Sequence, residues 1–234
     1  MNKIIKIRDE VLRKLANKLE GFYLACGIAL SLFYFKHRES YDLDFFTKDF
    51  SRSKIERLMS ELAVNMGLEI ELSGEQDKAG FAKMLVYSLK IDKNNSLKID
   101  FVEDVYRLLE PLKIIDGIPV LSIQDIYFRK ILTACGSIAK TNGAGRQLFA
   151  GGRQEAKDFF DLYFLSTTFM PLSKYVEQYC QQTQKESLII WFRTYDRVRM
   201  KLGLTEIITD KNVLFQEMER HFKTEVEKII AAEV

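Results

Sequence analysis

Two aspartates lie two residues apart in the apolar pentapeptide Asp42-Leu43-Asp44-Phe45-Phe46. The apolar residues predict a β-strand, and side chains two positions apart on a strand point to the same face. Asp42 and Asp44 therefore share one face, while Leu43 and Phe45 point toward the core. Two carboxylates held this close repel each other unless a cation lies between them, and Mg²⁺ prefers such oxygen ligands.

A third aspartate, Asp100, lies in the middle of the predicted strand Leu97 to Glu103. Aspartate is unfavourable inside strands, so the presence of Asp100 at this position calls for an explanation. If the two strands are neighbours, the three carboxylates suit two metal ions about 3.5 to 4 Å apart, as used for in-line phosphoryl or nucleotidyl displacement. The alternative is that the D-x-D motif marks a solvated strand end, which is the commoner meaning of a lone pair of aspartates.

A glycine upstream of this motif favours the first interpretation. Gly27 lies within the apolar run Phe22 to Phe35, which is too short to span a membrane and predicts a buried helix. Glycine weakens a helix unless the backbone must approach another group closely. At the start of a helix it can present backbone N–H groups to a phosphate.

The periodicity of apolar residues divides the chain into two halves. Before residue 120, helical stripes alternate with strand-like stretches, and the turn Asp92 to Ser96 joins two of these strands. After residue 120 the patterns are helical, beginning at Ser122 to Asp125, which resembles a capping box. The sequence predicts an α+β fold with an α/β domain over residues 1–120 and a helical domain over residues 121–234. The later predicted helices cover Gln154 to Leu165, Leu172 to Gln182, Glu186 to Leu202 and Lys211 to Ala232.

The composition is that of an ordinary folded globule. The 234 residues are 47% hydrophobic and 29% charged, and the net charge of +2 gives no general attraction to nucleic acid or membranes. Three cysteines without C-x-x-C spacing and two histidines give no zinc pattern and favour the reducing cytoplasm. The charged segment Met1 to Leu15 does not resemble a signal peptide.

Several of these motifs occur together in one known family. Phe22 to Leu30 (FYLACGIAL) and His37 to Phe46 (HRESYDLDFF) resemble the AbiEii/AbiGii toxin family of nucleotidyltransferases, in the DNA polymerase β-like superfamily. The family pattern reads roughly Y-L-A-G-G-T-A-L, then H-R-x-S-x-D-L-D-F-F. The resemblance spans about residues 20 to 165. It implies a polymerase β-like core, a mixed sheet with flanking helices, followed by a helical bundle that completes the active-site cleft.

The resemblance assigns roles to the residues around the D-x-D motif. Gly27 and Ile28 would cradle a nucleoside triphosphate. Asp42, Asp44 and Asp100 would be catalytic and would bind two Mg²⁺ ions, with Asp100 helping to activate the acceptor hydroxyl.

Three further matches lie in the second half. Lys130, in the helix after the sheet, would neutralise triphosphate charge, and the family's K/R-D-x-x-D-L motif falls at Lys157 to Leu162. Asp158 would be catalytic and Asp161 nucleotide-binding. The alternative for Lys130 is an ordinary surface lysine, whose aliphatic stem packs on the helix and whose ammonium lies in water. The alternative for the two aspartates is helix capping or an ion pair with Arg153 or Lys157.

The sequence departs from the family pattern at Cys26-Gly27-Ile28, where the family has two glycines and a hydroxyl residue. A second unusual feature is the Gly-rich, basic stretch Lys140 to Arg153, which predicts a long loop. This loop is either a flexible solvated segment or a contact surface for RNA phosphates. A further basic cluster, formed by Arg193, Arg197, Arg199 and Lys201, is typical of a solvated helix face.

Taken with the resemblance, the residues predict an Mg²⁺-dependent enzyme that moves a nucleoside monophosphate from an NTP to a hydroxyl, with tRNA or another RNA as a candidate acceptor. The family also implies a toxin paired with a cognate antitoxin protein. Two alternatives stay open, namely a catalytically inactive nucleotide- or RNA-binding module, and transfer to a small molecule or a protein hydroxyl.

Overall fold

The computed structural model describes residues 2–141, 145 and 147–233. The chain folds into two compact units. The first, called the sheet unit below, contains the residues up to Tyr34 together with Ser40–Ser122. The second, called the helical unit, contains Phe35–Glu39 together with the residues from Ile123 onward. The short segment that leads into the D-x-D motif is thus part of the helical unit.

The sheet unit is built on a seven-stranded mixed sheet with helices beside it. Its elements in chain order are α1 (Lys3–Leu15), β1 (Phe22–Leu24), α2 (Cys26–Ala29), β2 (Leu43–Thr47), α3 (Arg52–Met66), β3 (Ile70–Gln76), β4 (Met84–Lys90), β5 (Ser96–Glu103), β6 (Lys113–Ile115) and β7 (Ile118–Val120). The strands lie in the order β3-β4-β5-β2-β1-β7-β6. Strand β2 pairs in parallel with β5, and β1 pairs in parallel with β7.

The predicted helix over the apolar run from Phe22 is wrong at its start. Phe22–Leu24 forms strand β1, which pairs antiparallel with β2, and the helix begins only at Cys26. The helix then continues as a π-helical turn over Leu30–Tyr34. The reason is that β1 is buried on both faces, and a short, continuous apolar run fits a buried strand as well as a buried helix.

The helical unit is mainly α-helical, with one β-hairpin. Its elements are α4 (Ile123–Cys135), β8 (Gly136–Thr141), β9 (Gln147–Gly151), α5 (Ala156–Phe164) with a π-helical turn (Leu165–Phe169), α6 (Leu172–Tyr179), α7 (Gln182–Thr194), α8 (Arg197–Leu204) and α9 (Phe215–Ala231). Helix α4 begins directly after Ser122, where the capping pattern places its start.

Two predictions for this unit need correction. The predicted loop over Lys140 to Arg153 contains most of the antiparallel hairpin β8–β9, although residues 142–144 and 146 of that loop lie outside the described residues. The single helix predicted over Glu186 to Leu202 is two helices, because the side chain of Asp196 caps a new helix by accepting a hydrogen bond from the backbone N–H of Arg199.

The α+β class, with a mixed sheet, flanking helices and a helical C-terminal region, is confirmed. The predicted domain boundary after residue 120 stays a prediction. Among the described helices, none has the length and apolar character needed to cross a membrane.

Candidate active site

The sheet brings two of the three predicted carboxylates side by side. Asp44 on β2 and Asp100 on β5 are register partners in the parallel pair, so their side chains lie on the same face. Their neighbours Leu43 and Ile99 are completely buried on the opposite face. Asp42 comes directly before β2 and its charge acts on Asp100. The structure therefore places Asp44 and Asp100 side by side and Asp42 directly before β2, while the metal-binding role of all three stays a prediction.

A lysine that the sequence analysis does not single out lies among these carboxylates. Lys98 is two residues before Asp100 on β5, and its ammonium forms an ion pair with Oδ2 of Asp100. Partial burial lowers the pKa of Lys98, but the charges of Asp100, Asp44 and Asp42 outweigh it and raise the pKa overall. The K-x-D spacing puts both side chains on one face of the strand, which permits this contact but does not predict it.

The other oxygen of Asp100 has an unusual environment. Oδ1 is buried and, within the described part of the chain, has no hydrogen-bond partner. Burial raises the pKa of Asp100, Lys98 opposes this shift, and the negative charge of Asp42 adds to it. A buried carboxylate oxygen without a partner is costly, and coordination of a cation would remove that cost.

The donor type and the charge of these residues therefore suit a divalent cation, and Oδ1 of Asp100 lacks a hydrogen bond that such a cation would have to displace. No group of three or more His, Cys, Asp and Glu side chains in the described ranges already has the geometry to hold a metal ion. The cation that the described structure does place at Asp100 is the ammonium of Lys98.

The predicted phosphate cradle is a corner of the sheet unit next to Asp44. The backbone N–H of Ala25 donates to the carbonyl oxygen of Asp44 at 3.0 Å, and helix α2 begins at the next residue. Gly27 and Ile28 are both buried, and Ile28 has no exposed surface, so their contact with a phosphate stays a prediction. The first N–H groups of a helix lack partners within the helix, which suits that role.

Cys26 stands in a strained backbone conformation. Its φ of 60° lies in the left-handed region, which glycine adopts freely and other residues adopt at a cost. This is where the family pattern has its first glycine. The departure from the pattern therefore changes the residue while keeping a backbone shape that glycine favours.

The predicted residues of the second half form a buried ion-pair cluster within the helical unit. Lys130 on α4 is only 4% exposed, and its Nζ lies 2.7 Å from Oδ1 of Asp158 and 2.7 Å from Oδ2 of Asp161, both on α5. The alternative of a surface lysine at this position is therefore wrong. A lysine buried to this degree is held by its partners.

Asp158 has a second partner at the edge of the cluster. The half-exposed guanidinium of Arg153 donates to both oxygens of Asp158, at 2.5 and 3.0 Å. Burial alone would raise the pKa of Asp158, but Lys130 and Arg153 outweigh it and lower the pKa. The pairing with Arg153 agrees with the ion-pair alternative, and a catalytic role for Asp158 stays a prediction.

Asp161 is completely buried and connects α5 to the segment before the D-x-D motif. Nε2 of His37 lies 2.7 Å from its Oδ1, and Arg38 donates to both of its oxygens at 2.7 and 2.9 Å. Burial would raise the pKa of Asp161, yet Lys130 and Arg38 hold it well below its usual value. With no exposed surface, Asp161 is placed to position other side chains, and its predicted contact with nucleotide stays untested.

His37 and Arg38 belong to the H-R pattern in the sequence, but their partner could not be inferred from it. His37 is completely buried and stacks on Phe160, with ring centroids 5.7 Å apart. The cluster thus places three cations, Lys130, Arg38 and Arg153, around two carboxylates.

Two arginines of the basic cluster Arg193, Arg197, Arg199 and Lys201 form ion pairs with glutamates. Arg197 forms an ion pair with Glu219 at 2.6 Å and Arg199 forms one with Glu155 at 3.2 Å. These contacts agree with the interpretation of this patch as a solvated helix face.

Comparison with known proteins identifies the family. The model of the family described as nucleotidyl transferase AbiEii toxin, type IV toxin–antitoxin system, matches residues 10–232. No curated protein sequence matches the chain.

Solved structures with the same fold are distant in sequence. A Helicobacter pylori protein described as a candidate nucleotidyltransferase has a TM-score of 0.60 and 19% identity, with all of both chains covered. JHP933 from Helicobacter pylori has a TM-score of 0.55 and 17% identity, covering 100% of this chain and 96% of its own. The nucleotidyltransferase toxin MenT4 from Mycobacterium tuberculosis has a TM-score of 0.58 and 12% identity, covering 97% of this chain and 82% of its own.

The match over residues 10–232 covers both units, so the family resemblance and the enzyme class predicted from the sequence are confirmed. The chain belongs to the AbiEii family of nucleotidyltransferase toxins.

Proposed function

We propose that this protein transfers a nucleoside monophosphate from an NTP to a hydroxyl group, using Asp42, Asp44 and Asp100 to hold two Mg²⁺ ions. The observation that carries the proposal is the register pairing of Asp44 with Asp100, together with the buried and unpartnered Oδ1 of Asp100. When bound, the metal ions would lower the pKa of the acceptor hydroxyl and neutralise charge on the triphosphate.

In this reaction the acceptor oxygen forms a bond to the α-phosphorus. The bond between the α-phosphorus and the bridging oxygen breaks, and pyrophosphate leaves with that electron pair. The backbone N–H groups at the start of α2, near Gly27, would donate to the phosphates, and the contact of Ala25 with Asp44 fixes that corner beside the carboxylates.

By the family resemblance, Lys130 supplies positive charge to the triphosphate. Asp158 and Asp161 hold its ammonium at 2.7 Å from each of them, so the charge is fixed in place before the ligand arrives. In this proposal Asp161 is a positioning residue, and Arg153, whose guanidinium is half-exposed, offers a second cation to an anion.

For the acceptor we propose an RNA, with tRNA as the first candidate, and for regulation a cognate antitoxin protein, as the toxin–antitoxin family implies. The cytoplasm is the proposed compartment, in keeping with three free cysteines. Transfer to a small molecule or a protein hydroxyl would use the same carboxylates, and label moved from an NTP into such products would reveal it.

Titration calorimetry tests the metal and nucleotide site. We expect Mg²⁺-dependent NTP binding to the wild-type chain, and its loss in the double variant Asp42→Ala, Asp44→Ala. The melting temperature of this variant should be unchanged or higher, because two like charges are removed.

A matched control removes two carboxylates elsewhere on the sheet unit. Asp49 and Asp77 are both exposed, so the double variant Asp49→Ala, Asp77→Ala changes the net charge equally. It should bind NTP as the wild type does. Equal NTP affinity in the wild type and in the Asp42, Asp44 double variant would contradict the proposed site.

A further inference from the structure

The ammonium of Lys98 lies at the predicted metal-binding carboxylates, where a metal cation would be expected. Its ammonium forms an ion pair with Oδ2 of Asp100, whose side chain is only 9% exposed. The second oxygen of the same carboxylate is the buried Oδ1, for which the described residues offer no partner. Asp100 therefore has one oxygen paired with Lys98 and one buried oxygen whose charge no hydrogen bond from the described residues compensates.

The charge of Lys98 acts on the whole group of carboxylates. Asp44 and Asp42 both interact electrostatically with its ammonium, in addition to the direct contact with Asp100. A divalent cation bound to these carboxylates would be repelled by the ammonium at short range. The two cations therefore cannot both occupy the carboxylates at full strength.

Lys98 is also free to move aside without a change in the backbone. Its side chain is 48% exposed, and a lysine side chain is a flexible four-carbon stem. An ammonium that leaves Asp100 can remain near the site and pair with another anion there. The anion that the proposed reaction brings to these carboxylates is a triphosphate.

We propose that Lys98 is a built-in counter-ion that competes with the divalent cation for Asp100, so that the site gains its cation together with a nucleoside triphosphate, whose phosphates accept the displaced ammonium. This inference rests on the proposed function and adds a positioning residue to it. In the free protein Lys98 weakens binding of metal alone. In the nucleotide complex it contributes to binding of the phosphates.

The inference is tested by measuring Mn²⁺ affinity, by calorimetry or by the electron paramagnetic resonance signal of free Mn²⁺. Each protein is titrated alone and with a saturating, non-hydrolysable NTP analogue. In the wild type the analogue should strengthen Mn²⁺ binding strongly. Lys98→Met keeps the stem and removes the charge. We expect it to bind Mn²⁺ alone about tenfold more tightly, equivalent to about 1.4 kcal/mol, and to show a smaller enhancement by the analogue.

Lys90 provides a matched control on the neighbouring strand β4. Its side chain is 45% exposed and it pairs with Glu69 and Glu71, away from the three aspartates. Lys90→Met should leave both Mn²⁺ affinities unchanged. Lys98→Arg keeps the positive charge and should retain weak Mn²⁺ binding without nucleotide.

The outcomes separate this inference from the proposed function. Suppose that Mn²⁺ binding in the presence of the analogue depends on Asp44. If Lys98→Met without the analogue then binds Mn²⁺ as the wild type does, or less tightly, the role of Lys98 is overturned and the proposed carboxylate site is retained. If the wild type and Asp44→Asn bind Mn²⁺ equally poorly under all conditions, the proposed function itself is overturned.

Discussion

Replacement of Lys130 by methionine should strongly destabilise the helical unit. Methionine keeps most of the side-chain volume and removes the ammonium that lies 2.7 Å from both Asp158 and Asp161. Breaking a buried ion pair by removing one partner typically costs about 3 to 5 kcal/mol. Asp158 keeps Arg153 and Asp161 keeps Arg38, so the expected loss for Lys130→Met is at the lower end, about 3 kcal/mol.

The single tryptophan makes the assay specific to this unit. Trp191 lies on α7 and is 7% exposed, so its fluorescence during urea denaturation reports on the helical unit. Lys157→Met is the matched control, because Lys157 is exposed on α5 beside the cluster. A surface substitution of this kind should change the stability by no more than about 0.5 kcal/mol.

A double-mutant cycle separates the ion pair from packing. In Lys130→Met combined with Asp158→Asn, one buried carboxylate is removed with the lysine. The combined loss should therefore be at least about 1 kcal/mol smaller than the sum of the single losses. A loss below about 1 kcal/mol for Lys130→Met, or strict additivity in the cycle, would refute the argument that these charges are buried and mutually dependent.

Two further predictions concern pH and backbone strain. Because the native pKa of Asp161 is depressed below the unfolded value of about 3.9, its stabilisation is present above that value and is lost as pH falls through the lower native pKa. The difference in the free energy of unfolding between the wild type and Asp161→Asn, measured by Trp191 fluorescence, should thus be constant above about pH 5 and become smaller below about pH 4. A difference that stays constant down to about pH 2 would contradict this prediction. Cys26→Gly should stabilise the sheet unit by up to about 1 kcal/mol, because relief of the left-handed backbone strain exceeds the entropy cost of glycine. Urea denaturation followed by circular dichroism measures this change. A clear loss of stability in the variant would argue against the strained conformation.

The carboxylates could be predicted from the sequence because their arrangement depends on local rules. The alternation of side chains on a strand predicts the face of Asp44 on β2, and the apolar neighbours of Asp100 predict the matching face on β5, whereas Asp42 lies directly before β2. The partner of Asp100 could not be predicted in the same way. A lysine beside an aspartate on a strand is usually solvated, and only the packing around Asp100 shows that Lys98 is its partner.

The features that sequence analysis could not supply depend on contacts between distant residues. Phe35–Glu39 belongs to the helical unit, and Arg38 in that segment pairs with Asp161, which lies 123 residues later. The hairpin β8–β9 could not be predicted for a different reason. Glycines in a sequence usually indicate a loop, but Gly136 and Gly151 lie at the ends of the paired strands, where they adopt positive φ values that glycine tolerates.

Nucleotide transfer itself tests the central claim most directly. Four proteins are compared, namely the wild type, Asp44→Asn, Asp100→Asn and the surface control Asp77→Asn. Each is incubated with Mg²⁺, total RNA and one NTP at a time, labelled at the α-phosphate. The label that is transferred to RNA, to protein or to a small-molecule product is then counted. We predict that the wild type and Asp77→Asn move label from at least one NTP to an acceptor, and that Asp44→Asn and Asp100→Asn lose this activity by a factor of about 100 or more while keeping wild-type melting temperatures. Label transfer at the wild-type rate by folded Asp44→Asn and Asp100→Asn would contradict the claim that these paired carboxylates are the catalytic centre.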